Sequence, residues 1–332
     1  MLKNATFRQL AAFHALSRLG SVARVAGELH LTPPAVSIQL KLLEETAGAP
    51  LIERVGRGVR LTAAGERMAV YAGRILDLWR EAGDEMRLQR GVFSGTLRVG
   101  AVTTAEYLLP PLLVTFAGRH PGVKVKLSVG NRDQILQMLG RQETDVVIMG
   151  RPPGELKTIS TAFAKHPMAF IASSAHPLLA RRRLRLVELA DANLLVRERG
   201  SGTRSTVERI FKDAKVPLRI GSEMSSNEAI KQMCAAGFGV AFLSLHTCGL
   251  ELEAGLLQLL PLPGNPIERE WYVIALAGRP QPAAATAFSA FLVAQGQELI
   301  DARTVGLTTR GAASPANASG AARKAPRRQA GP

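Results

Sequence analysis

The stretch that decides the fold is Ser21-Val-Ala-Arg-Val-Ala-Gly-Glu-Leu-His-Leu-Thr-Pro-Pro-Ala-Val-Ser-Ile-Gln-Leu-Lys-Leu-Leu-Glu44. Ser21 and Thr32 are both suited to cap the start of a helix, and the two prolines after Thr32 fit a first helical turn, where a backbone N–H is dispensable. Val36, Leu40 and Leu43 recur at i, i+4 and i+7, so they form one inward face. The pattern predicts a short helix, a tight turn and a second helix.

The opposite face of the second helix carries side chains that suit DNA. Pro34, Ser37 and Lys41 recur at i, i+3 and i+7. A hydroxyl and a flexible cation on the first turns of a helix fit the edge of a major groove. The alternative is an ordinary helical hairpin with a solvated outer face. We favour DNA recognition because the chain is also strongly basic.

Composition narrows the choice of partners. The 332 residues carry a formal net charge of +15, which attracts polyanions such as nucleic acid, acidic membrane surfaces or anionic metabolites. No apolar run approaches the roughly 20 residues of a membrane span, so we expect a cytoplasmic protein with no membrane partner. The two cysteines, Cys234 and Cys248, argue against a disulfide framework, and neither they nor the histidines show the spacing of a metal site.

The segments on either side complete a DNA-binding domain, predicted to span residues 1–61. Residues 6–18 are typical of a first helix with an apolar inward stripe. Residues 51–62 are typical of two short strands around a glycine hairpin, which carries Arg54, Arg57 and Arg60. An arginine on such a wing fits a minor groove or a phosphate. The alternative is a solvated loop, where single arginines are common.

A long helix is predicted over residues 62–90, with no proline inside it. Its apolar residues alternate by three and four, which is typical of a coiled-coil seam and requires a partner. We therefore expect a homodimer, in which two helix-turn-helix units contact two half-sites. The residues assigned to this dimerisation seam are Met68, Tyr71, Ile75, Leu78, Trp79 and Ala82.

Strands and helices alternate beyond a hinge at residues 91–95, which predicts a two-lobed α/β domain over residues 96–302. A strand at residues 96–102 is expected to lead into a helix at residues 106–120. The predicted lobe I comprises residues 96–164 and 267–302, and lobe II comprises residues 165–266. Residues 303–332 lack apolar periodicity and acidic residues, which predicts a disordered basic tail.

A ligand cleft is predicted between the lobes, because open α/β lobes gather ligands beyond the carboxyl ends of their strands. Thr103 and Thr104 close one strand, and hydroxyls and N–H groups at helix starts favour an anion. The same reasoning adds Met149, Gly150, Arg151, Gly202, Thr203, Arg204 and Asn227. Each residue alone has an alternative role as a cap, a turn or an ion-pair partner. Together they predict an anion-binding cleft.

Four amino-terminal motifs carry a family likeness: Ala35-Val-Ser37, Leu43-Glu44, Arg54 and Leu61-Thr-Ala-Ala-Gly65. With the order of the parts, they resemble the LysR-type transcriptional regulators from about residue 6 to residue 300. Pro33 stands where glutamine is usual, Ile38 where a polar residue is common, and Ile52 in place of phenylalanine. The resemblance implies a winged helix-turn-helix, a linker helix and a periplasmic-binding-protein-like α/β effector domain. It implies DNA contact by Ser21, Arg24, Thr32, Pro33, Pro34, Ser37, Ile38, Lys41, Arg54, Arg57 and Arg60.

The carboxy-terminal motifs resemble the subgroup that controls RuBisCO (Calvin-cycle, cbb) operons. These motifs are Val99-Gly-Ala-Val-Thr-Thr-Ala-Glu-Tyr107, Val129-Gly-Asn-Arg-Asp133, Ile148-Met-Gly-Arg-Pro-Pro153, Arg199-Gly-Ser-Gly-Thr-Arg204, Asn227-Glu-Ala-Ile-Lys231 and Phe242-Leu-Ser-Leu-His246. The resemblance implies an activator that binds a double-stranded operator, with a phosphorylated sugar metabolite or NADPH as co-inducer. It adds Glu228 and Phe242 to the effector contacts, and implies a homodimer that pairs into a tetramer and contacts RNA polymerase.

Two other classes of protein are the alternatives to a DNA-binding regulator. A solute-binding receptor would have the same two lobes, but it would need a secretion signal and would not need residues 1–90. An enzyme would need a phosphate loop, a nucleophile elbow or an acid/base pair, and none of these motifs is present in the sequence. We therefore expect no catalytic residues and no enzymatic activity.

Overall fold

The computed structural model describes residues 4–55, 58–89 and 93–304. Arg57 of the predicted wing, part of the predicted hinge and nearly all of the predicted tail lie outside these described residues. The side chain of Arg54 is outside the description as well. In the described ranges, the structure contains no helix whose length and apolar character would let it cross a membrane.

The amino-terminal domain is a helix-turn-helix followed by a two-stranded wing. Its elements are α1 (Phe7–Leu19), α2 (Val22–Leu29), α3 (Pro33–Ala47), β1 (Ile52–Val55) and β2 (Gly58–Leu61). Thr32 Oγ1 accepts a hydrogen bond from Ala35 N at 3.4 Å, which caps α3. Ser21 is the N-cap residue of α2, as predicted, but its side chain makes no capping hydrogen bond. The prediction that its hydroxyl caps the helix is therefore wrong. The buried side chains of Val36, Leu40 and Leu43 confirm the inward face of α3.

The wing is fastened to α3 by a carboxylate. Glu44 Oε1 accepts hydrogen bonds from the backbone N–H groups of Leu51 at 2.8 Å and Ile52 at 3.0 Å. The helix after the wing also packs closely on this turn, because a Cβ on Gly65 would lie 2.0 Å from the carbonyl oxygen of Leu51. Any larger residue at position 65 would therefore displace the wing from α3.

The linker helix α4 (Ala63–Gln89) has 27 residues and begins one residue later and ends one residue earlier than predicted. Part of its surface packs on α1, where the rings of Phe7 and Trp79 lie 4.7 Å apart. Another face remains exposed in the single chain. This face, the apolar stripe of α4, consists of Tyr71, Ile75, Leu78, Trp79, Ala82 and Met86. Trp79 is 64% exposed despite its contact with Phe7. Met68 of the predicted seam is not part of the stripe, because it packs against the core of the amino-terminal domain.

Lobe I is built on a five-stranded sheet with α-helices packed on it. Its strands are β3 (Gly95–Val102), β4 (Val123–Gly130), β5 (Val146–Met149), β6 (Thr158–Lys165) and β12 (Glu270–Leu276), in the order β4-β3-β5-β12-β6. Strand β3 pairs in parallel with β4 and β5, whereas β12 is antiparallel to β5 and β6. The helices of lobe I are α5 (Leu109–Arg119), α6 (Arg132–Gly140) and α10 (Ala283–Thr304).

The helix predicted over residues 106–120 is wrong in its first part. The chain instead forms a 3₁₀ turn over Thr103–Tyr107, and α5 begins at Leu109. Pro110 and Pro111 explain the break, because neither can donate the backbone hydrogen bond that would continue a helix from the preceding turn.

Lobe II contains a second five-stranded sheet. Its strands are β7 (Met168–Ser173), β8 (Leu194–Arg197), β9 (Ser222–Met224), β10 (Val240–Ser244) and β11 (Leu257–Leu259), in the order β11-β7-β10-β8-β9. The helices of lobe II are α7 (Gly202–Asp213), α8 (Asn227–Ala235) and α9 (Gly249–Glu253). Helices α7 and α8 each begin shortly after a strand, which places their amino termini near the edge of the sheet that faces lobe I.

Two crossover segments connect the lobes and pair with each other. Met168 N donates to the carbonyl of Ile267 at 3.0 Å, and Ile267 N donates back to the carbonyl of Met168 at 2.7 Å. Two residues earlier on the first segment, His166 N donates to the carbonyl of Arg269 at 2.7 Å. The lobes are therefore joined by a short two-stranded bridge, and the cleft lies beside it.

Candidate functional site

The cleft between the lobes receives side chains from several elements. Lobe I contributes the carboxyl ends of β3 and β5 and the start of α6, lobe II contributes the start of α7, and the crossover segments form the floor. The residues that line the cleft are Val102, Thr103, Thr104, Asn131, Arg132, Met149, Gly150, Arg151, His166, Met168, Ser201, Gly202, Thr203, Ser205, Thr206 and Arg269.

The lining is positively charged, because it includes three arginines and, among the described residues that form it, no carboxylate. Arg132 Nη1 donates to the carbonyl of Arg151 at 2.6 Å. Arg269 donates from Nη1 to Thr206 Oγ1 at 2.6 Å and from Nη2 to the carbonyl of Gly150 at 3.0 Å. These acceptors hold the guanidinium groups in place without cancelling their charge.

The positive charges of the arginines in and around the cleft repel one another. Burial lowers the pKa of Arg269, and the positive charges of Arg209, Arg151 and Arg132 lower it further. Burial is also the largest cause of the lowered pKa of Arg132. Both groups stay protonated at neutral pH because guanidinium pKa values lie so high. A bound anion would relieve this mutual repulsion, so the cleft favours negative ligands.

Seven of the predicted effector contacts lie in the cleft lining: Thr103, Thr104, Met149, Gly150, Arg151, Gly202 and Thr203. Thr104 and Thr203 are buried at the starts of the 3₁₀ turn and of α7. Thr103 has a partner of its own, because its Oγ1 accepts a hydrogen bond from Arg197 Nη1 at 3.0 Å.

The structure places the other four predicted contacts outside the cleft lining. Arg204 is paired with Glu208 at 2.6 Å and Glu223 at 3.1 Å, so its charge is already compensated. Phe242 is buried in the core of lobe II, with its ring 4.8 Å from that of Phe170. Arg204 therefore has its alternative role as an ion-pair partner. The effector contact that the resemblance implies for Phe242 is wrong, because this side chain belongs to the core of lobe II.

Asn227 and Glu228, at the start of α8, instead take part in contacts between the lobes, Glu228 directly and Asn227 through Arg197. Asn227 Oδ1 accepts a hydrogen bond from Arg197 Nη1 at 2.5 Å, and the same nitrogen reaches Thr103 of lobe I. Glu228 Oε1 accepts from the hydroxyl of Tyr107 at 2.7 Å. Burial and the Glu228 carboxylate raise the pKa of Tyr107, so the phenol stays protonated and donates.

Of the lining residues that were not predicted from the sequence, Arg132, His166 and Arg269 are those with a titratable side chain. Arg132 is the first residue of α6, directly after β4 and the capping residue Asn131. The rule that selected Thr103 and Gly202 could therefore have selected it. His166 and Arg269 lie on the crossover segments, where no periodicity or motif marks them.

The candidate DNA-reading face is exposed on α3. Pro33, Pro34, Ser37, Ile38 and Lys41 are all accessible there, and Ile38 is 57% exposed. Lys41 Nζ lies 3.8 Å from Glu45 Oε1 on the same helix. The Ser37 hydroxyl donates to the carbonyl of Pro33 at 3.0 Å and still has lone pairs for a base edge or a phosphate. Arg24 on α2 and Arg60 on β2 are exposed as well.

Comparison with known proteins gives the class. The model of the LysR substrate binding domain matches residues 90–297, and that of the bacterial regulatory helix-turn-helix protein, lysR family, matches residues 7–66. This chain therefore belongs to the LysR family of transcriptional regulators, and it is a DNA-binding regulator rather than an enzyme. The match at residues 7–66 also contradicts the alternative of a solute-binding receptor.

Individual relatives extend over nearly the whole chain. The HTH-type transcriptional regulator CbbR of Rhodospirillum rubrum is 42% identical over 287 residues, which cover 86% of this chain and 95% of that protein. The RuBisCO operon transcriptional regulator of Acidithiobacillus ferrooxidans is 39% identical over 293 residues, covering 88% and 95%. The CcmR regulatory domain of Synechocystis PCC6803, solved in complex with 2-PG, is similar with a TM-score of 0.58 and 37% identity, covering 60% of this chain and 97% of that domain.

Proposed function

We propose that this protein regulates transcription of a RuBisCO operon in response to a small anionic metabolite bound between the lobes. Relatives that are 42% and 39% identical over most of the chain are named as CbbR and as a RuBisCO operon regulator. The similar CcmR domain was solved with the ligand 2-PG. A phosphorylated sugar metabolite or NADPH would satisfy the same requirement for negative charge.

The observation that carries the proposal is the arginine-rich lining without a carboxylate. Arg132, Arg151 and Arg269 approach the cleft from α6, the loop after β5 and the second crossover. The hydroxyls of Thr104 and Thr203 lie at two helix-like starts, where free N–H groups also favour an anion. Charge-assisted hydrogen bonds of this kind are about twice as strong as neutral ones. A small anion can thus be held by both lobes at once.

DNA binding is assigned to α3 and the wing, with two copies of the chain joined through the apolar stripe of α4. The domain limits of residues 1–61, 62–90, 91–95 and 96–302, and the basic tail at 303–332, are part of this proposal. Two dimers would pair on a double-stranded operator in the cytoplasm and contact RNA polymerase. A ligand can alter that assembly only if it binds its two arrangements with unequal affinity.

Calorimetric titration of the full chain with 2-PG tests the cleft. We expect R132Q and R269Q each to weaken binding roughly tenfold or more, because each removes a charged hydrogen-bond donor. R199Q removes the same charge from a neighbouring exposed residue outside the lining. This control should bind as the wild type does. Equal losses in all three variants would reject the cleft as the anion site.

The target is tested by a mobility shift with the promoter region of a RuBisCO operon. The wild-type protein should bind this fragment at modest salt in preference to a shuffled fragment of the same composition. Addition of 2-PG should change the length of the footprint or the DNA bend. Equal affinity for the two fragments would contradict the proposed RuBisCO operon target, and only the membership of the LysR family would stand.

A further inference from the structure

A buried histidine in the cleft lining has no hydrogen-bond partner for its ring among the residues that the structure describes. His166 lies on the first crossover between β6 and β7, lines the cleft, and is only 3% exposed. Within the described part of the chain, neither ring nitrogen has a hydrogen-bond partner. Buried polar groups are nearly always paired, so an orphaned imidazole in a ligand cleft points to a ligand atom as its partner.

The ring is fixed by contacts that leave both nitrogens unused. It stacks on Trp271 with ring centroids 3.8 Å apart and an interplanar angle of 18°. Trp271 is itself anchored, since its Nε1 donates to His246 Nδ1 at 3.1 Å. Gly150 completes the site, because a Cβ there would lie 2.5 Å from His166 Nδ1. Packing alone therefore orients the imidazole, and a glycine makes room for it.

The imidazole is neutral, because burial and the nearby His246 and Arg269 lower the pKa of His166 well below its ordinary value. A neutral ring offers one donor and one acceptor. Charge in this cleft comes from the arginines, whereas His166 can offer only a directional hydrogen bond. The two kinds of group therefore suit different parts of one ligand.

We propose that His166 is a specificity-determining residue, whose imidazole hydrogen-bonds a second polar group of the anionic effector beyond the group that the arginines hold. The proposal rests on the proposed anion-binding function and deepens it. It also assigns a ligand contact to each crossover, through His166 on one and Arg269 on the other. These two residues are already joined by a backbone hydrogen bond of 2.7 Å. The effector would therefore bind directly to the two-stranded bridge between the lobes.

The experiment compares two probes on the full chain by calorimetry. Inorganic phosphate offers only the anionic group, whereas 2-PG is a larger organic anion with further polar atoms. In H166F the aromatic stack on Trp271 is kept and both nitrogens are lost. We expect 2-PG to bind at least tenfold more weakly to H166F while phosphate binding changes less than twofold. The matched control is H120F, which replaces a histidine that also contacts aromatic rings, those of Phe93 and Phe116 in lobe I, but lies outside the cleft lining.

A melting curve without ligand separates this role from a structural one. H166F should melt at the same temperature as the wild type or higher, because an apolar ring replaces an unpaired buried polar one. A clearly lower melting temperature would show that the imidazole is structural and would overturn the proposal. An unchanged preference for 2-PG in H166F, or a wild type that does not prefer 2-PG to phosphate, would overturn it as well. A wild type that binds neither probe would overturn the proposed anion function too.

Discussion

Arg98 Nη1 lies 3.0 Å from Asp77 Oδ1, and this ion pair fastens the linker helix α4 to strand β3 of lobe I in the same chain. Arg98 Nη2 also lies 2.6 Å from Asp145 Oδ1, so one guanidinium serves two carboxylates. The side chain of Asp145 is fully buried, and those of Arg98 and Asp77 are nearly so. Further along α4, Glu81 pairs with Arg279 of the effector domain. The linker helix is thus attached to lobe I by side chains as well as by the backbone.

Removing the central cation should destabilise this junction strongly. We expect R98M to lower the free energy of unfolding by about 3 kcal/mol, because the buried Asp145 carboxylate loses its ion-pair partner and Asp77 keeps only Arg80. The control R80M removes a more exposed arginine that also contacts Asp77, and should cost about 0.5 kcal/mol or less. Urea unfolding followed by circular dichroism measures both changes. Similar costs for the two variants would show that the junction contributes little.

The α3 face should determine operator affinity without affecting the fold. S37A and K41A are each expected to weaken operator binding by about 1 kcal/mol, roughly fivefold, and K41A should reduce the salt slope by about one. Footprinting and a salt titration measure these effects, while circular dichroism should stay unchanged. K124A, which removes an exposed lysine from β4 of lobe I, is the control for charge. Normal footprints from both α3 variants would reject this helix as the reader.

A charge within the apolar stripe of α4 should separate the subunits. Leu78 is 53% exposed in the single chain, and L78E would bury a carboxylate in the expected interface, where an unpaired charge is costly. Light scattering after size exclusion should report a monomer, with loss of operator binding at the same concentration. L78M keeps an apolar side chain of similar volume and should remain a dimer. A dimeric L78E protein would place the interface elsewhere.

Stability should fall in mild acid because of His246. Burial lowers the pKa of His246 to about 4, whereas the unfolded residue titrates near its ordinary value of about 6.5. Between these two pKa values the unfolded chain binds a proton that the folded chain does not, so stability decreases as the pH falls, by up to about 1.4 kcal/mol per unit.

The variant H246Q tests this dependence, since glutamine can still accept the hydrogen bond from Trp271 Nε1. Urea unfolding of both proteins should show a constant difference above pH 7 and a shallower decline for H246Q from about pH 6.5 to pH 4. Parallel curves across that interval would mean that His246 titrates alike in the folded and unfolded chains.

Local patterns in the sequence predicted the features that local interactions determine. The cap at Thr32, the inward face of α3 and the length of α4 depend on residues within a few turns, and each is close to its predicted place. The same holds for the cleft residues that end a strand or begin a helix. The prediction missed the break before α5, although Pro110 and Pro111 mark it in the sequence.

Long-range placement explains most of what the sequence could not reveal. His166 and Arg269 meet only because the chain crosses between the lobes twice. Arg204 has one partner four residues away, Glu208, but its other partner, Glu223, is brought by a neighbouring strand. All five residues of β10 are buried, so no alternation could tell that Phe242 faces the core of lobe II rather than the cleft.

The length of α4 gives its attachment to lobe I a mechanical consequence. Its 27 residues extend for about 40 Å at 1.5 Å per residue. A tilt of about 5° at the effector end would swing the opposite end through about 3.5 Å, close to the step between successive base pairs. The helix can therefore act as a lever arm, converting a small rotation beside the cleft into a shift of one base-pair register on DNA.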